Sequence, residues 1–346
     1  MTPRRLDLAL QGGGTQGAFT WGVLDRLLED ERLQFAAISG TSAGAMNAVA
    51  LADGLMRGGR SGAREALQRF WHRIAMASPF GALQAGPWAP MFDPVSPWLA
   101  PMQAHTDWLG RLYTPQQLNP LDLNPLRDIL AAEIDFESVR RCDKTRLYIA
   151  ATHVRSGRLH VFQQRDLTAE KVLASACLPL IFRAIEIDGE AYWDGGYSGN
   201  PSLLPLLKDG GADDLLLVPT NPIRRESVPT TMREILDRVD EITFNASLLK
   251  EMRSIALLKQ MIADEGDVGR RWRQPLFAHA AVLRVHRLDA DADLSALGPA
   301  SNLNTGWAFL QQLHDIGHRV ADDWLQRNYK HLGRRSTIDL AREYLE

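Results

Sequence analysis

The stretch LALQGGGTQGAF, residues 8–19, decides how the fold is interpreted, because it joins an apolar run to a glycine cluster and a helical pattern. Leucines alternate along residues 6–10, which predicts a short buried strand. Residues 18–28 repeat apolar side chains at a helical period, which predicts a helix directly after the glycines. A strand, a glycine turn and a helix in this order are typical of an α/β fold.

Gly12, Gly14 and Gly17 match the G-x-G-x-x-G pattern of dinucleotide-binding loops. That function also needs an acidic residue at the end of the second strand, about 20 residues further on, to bind the ribose hydroxyls. The next strand-like run, residues 35–38, ends instead in SGTSAG, residues 39–44. The sequence therefore argues against a dinucleotide site.

The second strand is followed by Gly40, Ser42 and Gly44 in a G-x-S-x-G pattern, with a small-residue helix after it. This context is typical of a nucleophile elbow, where a strained strand-to-helix turn exposes the serine hydroxyl at a helix N-terminus. Glycines on both sides let the neighbouring backbone pass without a Cβ clash. The alternative interpretation is an ordinary small-residue turn, because short glycine patterns also occur by chance.

A nucleophilic Ser42 gives the first glycine cluster a different role. Acyl transfer needs backbone N–H donors directed at the oxyanion of a tetrahedral intermediate. Consecutive glycines at a helix start can direct several amides toward one point. We therefore interpret Gly12, Gly13 and Gly14 as an oxyanion loop rather than a pyrophosphate loop.

A serine nucleophile also needs a base, and histidine is the usual choice. The chain has nine histidines, and none lies in a glycine-flanked loop just after a strand, where a triad histidine is normally carried. They are His72, His105, His153, His160, His279, His286, His314, His318 and His331. We interpret each of them as a surface or helix-face residue.

A carboxylate is the better candidate for the base. Residues 184–193 predict a β-hairpin with an Asp-Gly turn at residues 188–189, and Asp194 ends the second strand. Gly195 and Gly196 follow at once, which frees this loop to approach another backbone. The alternative interpretation of these residues is a common Asp-Gly turn.

Taken together, the GGGxxG, GxSxG and DGG strings resemble the pattern of the patatin-like phospholipase family. The apolar segment ASACLPLIF, residues 174–182, ahead of the DGG string resembles that family too. The resemblance covers about residues 6–219. It implies a three-layer α/β/α fold with a central, mainly parallel sheet. It also implies a serine lipid acyl hydrolase of the phospholipase, lysophospholipase or esterase type, with no metal and no cofactor.

Carried over residue by residue, the resemblance implies that Ser42 is the nucleophile, Asp194 is its partner in a Ser-Asp dyad, and residues 12–14 form the oxyanion hole. Five more glycines support the motifs, namely Gly17, Gly40, Gly44, Gly195 and Gly196. One position departs from the family pattern, because the family usually has Arg or Lys where this chain has Gln16. An aspartate at its ordinary pKa of about 4 is a weak base. We therefore predict that Asp194 lies in a desolvated pocket that raises its pKa.

Length and composition fit one catalytic domain over residues 1–346. Ser42 and Asp194 must meet although they lie 152 residues apart, so no domain boundary falls between them. A content of 45% hydrophobic and 23% charged residues is ordinary for a globular chain with a large core. The net charge of −3 gives no electrostatic case for a nucleic-acid partner. Cys142 and Cys177 lack metal-ligand spacing and are interpreted as reduced structural thiols.

The expected location follows from what the sequence lacks. No apolar run reaches about 18 residues and no signal peptide is recognised, which predicts a cytoplasmic protein. The expected partner is a lipid or acyl-ester substrate. Transient contact with a membrane surface and the oligomeric state are left open.

Residues 78–125 differ in composition, with nine of the 18 prolines and with Trp88, Trp98 and Trp108. So much proline excludes a long helix, and so many aromatics argue against disorder. Two interpretations are equally consistent with this composition. The segment is either a lid or wall of an acyl-chain channel or an irregular insertion packed on the core.

Residues 220–346 are predicted to be mostly helical and packed on the same core. Strands are predicted at residues 214–218 and 281–285, and helices at residues 229–263 and 303–325. The apolar side of the first of these helices is expected to hold Ile235, Val239, Ile242, Leu249, Met252 and Ile255.

Two rival functions share the same motifs. A conventional Ser-His-Asp esterase has the G-x-S-x-G string but also requires a histidine. A lipid-binding or acyl-transfer protein on the same fold would hold acyl chains with little or no hydrolysis.

Overall fold

The computed structural model describes residues 3–77, 114–225, 227–264, 275–288, 290–295 and 304–346. Most of the Pro/Trp-rich segment, including Trp88, Trp98 and Trp108, lies outside the described residues. The lid interpretation of that segment therefore stays a prediction.

The core of the fold is an eight-stranded sheet in the order β5-β6-β3-β2-β1-β7-β8, with β4 paired to β3. Its strands are β1 (Arg4–Leu10), β2 (Leu33–Thr41), β3 (Arg146–His153), β4 (Leu159–Gln163), β5 (Ile185–Ile187), β6 (Glu190–Asp194), β7 (Asp214–Val218) and β8 (Arg284–Arg287). Strands β3, β2, β1, β7 and β8 run parallel to one another. Strands β4, β5 and β6 pair antiparallel at one side. The sheet is therefore mixed and mostly parallel.

Helices connect these strands along the described ranges. They are α1 (Gly17–Glu29), α2 (Ala43–Ala77, kinked at Gly58 and Gly59), α3 (Pro115–Leu118), α4 (Pro125–Glu133), α5 (Phe136–Arg140), α6 (Ala169–Ser175), α7 (Leu204–Asp209), α8 (Met232–Asp264), α9 (Pro275–Val282), α10 (Asp291–Ser295), α11 (Trp307–Asn328) and α12 (Leu340–Tyr344). Within the described ranges, no helix combines the length and the apolar content needed to cross a membrane.

Two hydrophobic clusters cover the two faces of the sheet. Leu6, Leu8 and Leu10 of β1 pack in one cluster with α1, α2 and α11, whereas Ala9 packs in the other with α7, α8 and α9. This alternation is the period-two pattern of a strand that is buried on both faces. The arrangement confirms the prediction of a three-layer α/β/α fold.

The sheet order brings distant residues to one edge. Leu10 pairs with Gly40, so the glycine cluster after β1 and the serine after β2 leave the same end of adjacent parallel strands. Loops at the carboxyl ends of parallel strands form the usual site of an α/β fold. Strand β3 then links both to β6, because Thr41 pairs with Ala150 and Ala151 pairs with Asp194.

Several predicted elements are confirmed, and two differ. The hairpin forms, with positive φ at Asp188 and Gly189, and the strand at residues 214–218 is β7. The strand predicted at residues 281–285 begins later, at Arg284, because the preceding apolar residues belong to α9.

The second difference concerns α8, whose apolar side lies in the core only along its second half. Met252 and Ile255 are buried, whereas Ile235, Val239 and Ile242 are exposed. The inner side of the first half is occupied by polar groups instead, among them the buried Asn245. The predicted helix is therefore confirmed, but its first half faces the protein with its polar side.

Candidate active site

Ser42 lies at a strained turn between β2 and α2. Its φ of 53° is in the left-handed region, which costs a non-glycine residue about 1–3 kcal/mol. The Ser42 N–H donates to Ser175 Oγ at 2.9 Å, and the Ser42 carbonyl accepts from the Ala45 N–H at 2.9 Å. The turn is therefore held on both sides, with the side chain left to face the cavity described below.

Glycines allow the backbone to approach this turn closely. A Cβ on Gly44 would lie 2.3 Å from the Leu10 carbonyl oxygen, and a Cβ on Gly12 would lie 2.6 Å from Ser42 Cβ. Either would force the backbone to move. The remaining motif glycines lie around the same region, with Gly17 at the start of α1, Gly40 in β2, and Gly195 and Gly196 in the 3-10 turn after β6.

Asp194 is fully buried at the end of β6. Its N–H donates to the Cys177 carbonyl at 2.8 Å, and its carbonyl accepts from Thr152 Oγ1 at 2.8 Å. Its Oδ1 accepts from the Gly196 N–H at 2.7 Å. The backbone and one carboxylate oxygen are thus fixed.

The second oxygen of this carboxyl group is available for proton transfer. Burial raises the pKa of Asp194 from 3.8 to about 7, and the Gly196 N–H and the Ser42 hydroxyl oppose that rise. Oδ2 is buried and forms no hydrogen bond of standard geometry with the described residues. Ser42 and Asp194 line the same cavity, so the serine hydroxyl and this carboxyl group face one space.

The first glycine cluster lies beside Ser42, but its three N–H groups are not equivalent. The Gly12 N–H already donates to Asn200 Oδ1 at 2.7 Å. The N–H groups of Gly13 and Gly14 form no hydrogen bond with the described residues, and both glycines line the cavity. This narrows the candidate oxyanion donors to Gly13 and Gly14, and gives Gly12 a packing role against Ser42.

Ser42 and Asp194 share a cavity of about 320 Å³. Apolar side chains dominate one part of the wall, and α8 with its preceding loop adds charged ones. The lining residues beyond the motif are Gln16, Leu178, Leu180, Ile181, Tyr197, Asn221, Arg225, Asp237, Asp240, Glu241, Phe244 and Leu294. Glu241 pairs with Arg225 and with Arg238, the latter at 2.9 Å, so its charge is compensated within the wall. The cavity can accept an acyl chain next to the serine.

Gln16 lines the same cavity and is buried. Its Oε1 has no hydrogen-bond partner among the described residues. A neutral amide therefore stands where the resembled family usually carries a cation, so this position offers hydrogen bonding but no charge to a bound substrate.

The histidines lie elsewhere. Eight of the nine belong to the described residues, and none of these eight lines the cavity; His105 lies outside the described residues. The buried His286 pairs with Asp214 at 2.9 Å, and His279 Nδ1 contacts the Leu207 carbonyl at 2.8 Å. Within the described chain, the group beside Ser42 is therefore a carboxyl group and not an imidazole.

A group of side chains of metal-ligand type lies away from this site. Asp25, Glu29 and His318 lie close enough to share an ion, on the outer side of α1 and α11. Arg64 pairs with both carboxylates of this group, at 2.5 Å and 2.9 Å. The arginine already supplies the positive charge that an ion would bring. Cys142 and Cys177 are buried and do not form a disulfide with each other.

Sequence reasoning missed the polar residues that surround the glycine loop. They are Gln11, Asn200, Thr220, Asn221 and Asn245, and they are joined to one another or to Gly12 by hydrogen bonds. The available signal was the Asn200-Pro201 pair shortly after the DGG string and the Thr-Asn-Pro string after β7. Both strings are also ordinary loop sequences, so neither is specific.

Comparison with known proteins gives one family. A family model described as patatin-like phospholipase matches residues 8–207, more than half of the chain. A search of curated proteins found no match. Among solved structures, VipD from Legionella pneumophila matches at 16% identity, over 90% of this chain and 67% of that chain, with a TM-score of 0.37. At so low a score the family assignment comes from the family model.

Proposed function

The chain belongs to the patatin-like phospholipase family, and we propose that it hydrolyses lipid acyl esters through an acyl-enzyme on Ser42. The observation that carries the proposal is a strained serine beside a buried carboxyl group of raised pKa, in one cavity with unengaged backbone N–H groups. These three parts correspond to the nucleophile, the base and the oxyanion donors of acyl transfer.

Asp194 acts as the base in both halves of the proposed reaction. It takes the proton of Ser42 as Oγ attacks the ester carbonyl carbon, and the carbonyl electrons move to the oxygen that faces Gly13 and Gly14. Collapse of this intermediate breaks the ester C–O bond, and the leaving alcohol takes the proton from Asp194. Water then attacks the acyl-enzyme by the same route, which restores Ser42 and releases the fatty acid.

The raised pKa matches this role. A base works best when its pKa lies near the working pH, because it is then ionised and still holds a proton well. The pKa of about 7 meets this condition for Asp194. An exposed aspartate with a pKa of about 4 would not.

Phospholipids or lysophospholipids are the substrate class that family membership favours. Leu178, Ile181 and Phe244 line the cavity and provide apolar contacts for an acyl chain attached to Ser42. Arg225 is a cation in the lining, but it is paired with Glu241.

An apolar rim supports contact with a lipid surface. The first half of α8 exposes a band at spacings of three and four residues, made of Met232, Ile235, Leu236, Val239 and Ile242. Leu180, Ile181 and Tyr197 at the cavity wall are also exposed. A helix with its apolar side toward solvent and its polar side toward a cavity is the reverse of the usual pattern, and such patches mark interaction sites.

Labelling with a long-chain fluorophosphonate tests the proposal. Intact mass should show one adduct on wild type and none on Ser42→Ala, and Asp194→Asn should slow its formation. Turnover of a phospholipid and a lysophospholipid by the same three proteins then identifies the ester class. A folded wild-type protein that forms no adduct would instead favour the lipid-binding alternative, and equal turnover by Ser42→Ala would reject Ser42 as the nucleophile.

A further inference from the structure

We propose that Thr220 is a positioning residue, which holds the oxyanion loop so that the Gly13 N–H faces the serine. This inference rests on the proposed function and goes beyond it, because Thr220 lies outside the family match, which ends at residue 207. Thr220 is fully buried and is not part of the cavity lining, so it acts through the loop and does not touch a substrate.

Both polar backbone groups of Gly12 are engaged from outside the loop. The Gly12 carbonyl accepts from Thr220 Oγ1 at 2.9 Å and from Asn221 Nδ2 at 3.0 Å. The Gly12 N–H donates to Asn200 Oδ1 at 2.7 Å. All of these groups are buried, where hydrogen bonds have no competition from water.

The engaged carbonyl determines where the next N–H points. The Gly12 carbonyl and the Gly13 N–H belong to one planar trans peptide, so they point in opposite directions. Holding the carbonyl toward Thr220 turns the Gly13 N–H to the other side. That N–H has no hydrogen-bond partner among the described residues, and Gly13 lines the cavity with Ser42.

A run of three glycines needs hydrogen bonds from residues outside the loop to fix its conformation. Glycine has the widest choice of backbone conformation, so this loop alone does not fix the direction of its amides. An oxyanion donor contributes to catalysis only when it is oriented before the charge develops. The Thr220 hydroxyl supplies part of that orientation.

Thr220 is itself fixed relative to the loop. The N–H groups of Thr220 and Asn221 donate to Gln11 Oε1 at 2.9 Å and 3.0 Å. Gln11 Nε2 in turn donates to Asn245 Oδ1 of α8 at 2.7 Å. The end of β1, the loop after β7 and α8 therefore form one hydrogen-bonded unit around the Gly12 peptide.

The test compares Thr220→Val with Thr220→Ser. Valine keeps the shape but places a methyl group against the Gly12 carbonyl, whereas serine keeps the hydroxyl and loses only the methyl group. With a soluble short-chain ester, we expect Thr220→Val to lower kcat between about tenfold and a hundredfold, which is less than the 10²–10³ cost of losing a donor. KM and the pH midpoint of kcat should stay unchanged, because neither acyl binding nor Asp194 is altered. Thr220→Ser should keep kcat within about twofold of wild type.

A trifluoromethyl ketone gives a second readout. It forms a tetrahedral adduct with an active serine, so its affinity should fall in Thr220→Val by the same factor as kcat. A Thr220→Val protein that keeps both values within about twofold overturns the inference, and so does a Thr220→Ser protein that loses as much as Thr220→Val. Thr220→Ala replaces Thr220→Val if the latter does not fold. Ser42-dependent turnover of the wild type under the same conditions separates failure of this inference from failure of the proposed function.

Discussion

Replacing Asp194 with asparagine is expected to lower turnover about 10³-fold and, at the same time, to stabilise the protein at high pH. The asparagine keeps an oxygen for the Gly196 N–H, which donates to Asp194 Oδ1 at 2.7 Å. It removes a negative charge that full burial makes costly. Function and stability should therefore change in opposite directions at this one residue.

The magnitude follows from the pKa of Asp194, which burial raises from 3.8 to about 7. A difference of about 3 pKa units corresponds to about 4 kcal/mol of unfolding free energy. The folded state keeps its proton to a higher pH than the unfolded state does. The cost of ionising Asp194 is therefore absent below about pH 4, grows up to about pH 7 and is constant above that. Asp194→Asn should gain stability over wild type along the same curve.

Denaturant unfolding at several pH values measures this gain. The difference in unfolding free energy between Asp194→Asn and wild type should be near zero at about pH 4 and about 4 kcal/mol at about pH 8. Asp7→Asn is the matched control, because burial also raises the pKa of Asp7, to about 6, at a position where the carboxylate accepts from Gly211 and Ala212. Turnover per folded molecule of Asp7→Asn should stay within about twofold of wild type.

The pH dependence of turnover should follow the same ionisation of Asp194. Turnover by the wild type should rise about tenfold per pH unit up to about pH 7 and then level off, because Asp194 must be ionised to accept the proton of Ser42. Asp194→Asn should lose about 10³-fold in turnover. A variant that is no more stable than wild type at high pH, or that keeps activity within about tenfold, would refute the assignment of Asp194 as a desolvated base.

Three further substitutions test other parts of the site. Gly12→Ala should slow fluorophosphonate labelling at least about a hundredfold, because its Cβ would lie 2.6 Å from Ser42 Cβ. His286→Ala should lower the unfolding free energy by about 3 kcal/mol, since it removes a buried side chain that hydrogen-bonds to Asp214, yet leave turnover per folded molecule unchanged. The double change Val239→Ser with Ile242→Ser should reduce turnover on phospholipid vesicles about tenfold more than turnover of a soluble ester, because two exposed apolar side chains are lost.

Each of these changes has a control and an opposing outcome. Gly58→Ala introduces a Cβ with nothing within 4 Å and should be labelled at the wild-type rate. Labelling of Gly12→Ala at the wild-type rate would show that close packing of Gly12 against Ser42 is not needed for an active serine. Turnover lost in His286→Ala beyond its loss of folded protein would favour a histidine-dependent mechanism. Lys250→Ser, at an exposed position on the second half of α8, is the control for the vesicle assay. Equal losses on vesicles and on the soluble ester would reject the lipid-facing band.

The sequence predicts the parts of the site that the chemistry restricts to a few residue types. A strained turn next to two other backbones accepts only glycine and small residues, so the glycines around Ser42 leave a readable pattern. The identity of the base was less evident, since an Asp-Gly string is common. Its assignment to Asp194 depends on the resemblance, and the structure adds the burial that raises its pKa.

The polar residues behind the loop and the direction of α8 could not be predicted in the same way. Asn200, Thr220 and Asn221 are common loop residues, and only the pairing of β1 with β7 places two of them beside Gly12. Periodicity located the apolar arc of α8, but it does not say whether that arc faces the core or the solvent. Strand β8 begins later than the sequence predicts for a related reason. A short apolar run fits a helix end and a strand equally well.

The C-terminal part of the chain completes a site whose motifs all lie in the N-terminal part. The family match ends at residue 207, before the loop after β7 and before α8. Yet Thr220 and Asn221 hold the Gly12 carbonyl, Asn245 holds Gln11, and α8 supplies one wall of the cavity. The loop after β7 and α8 therefore hold the oxyanion loop and form part of the cavity wall around Ser42.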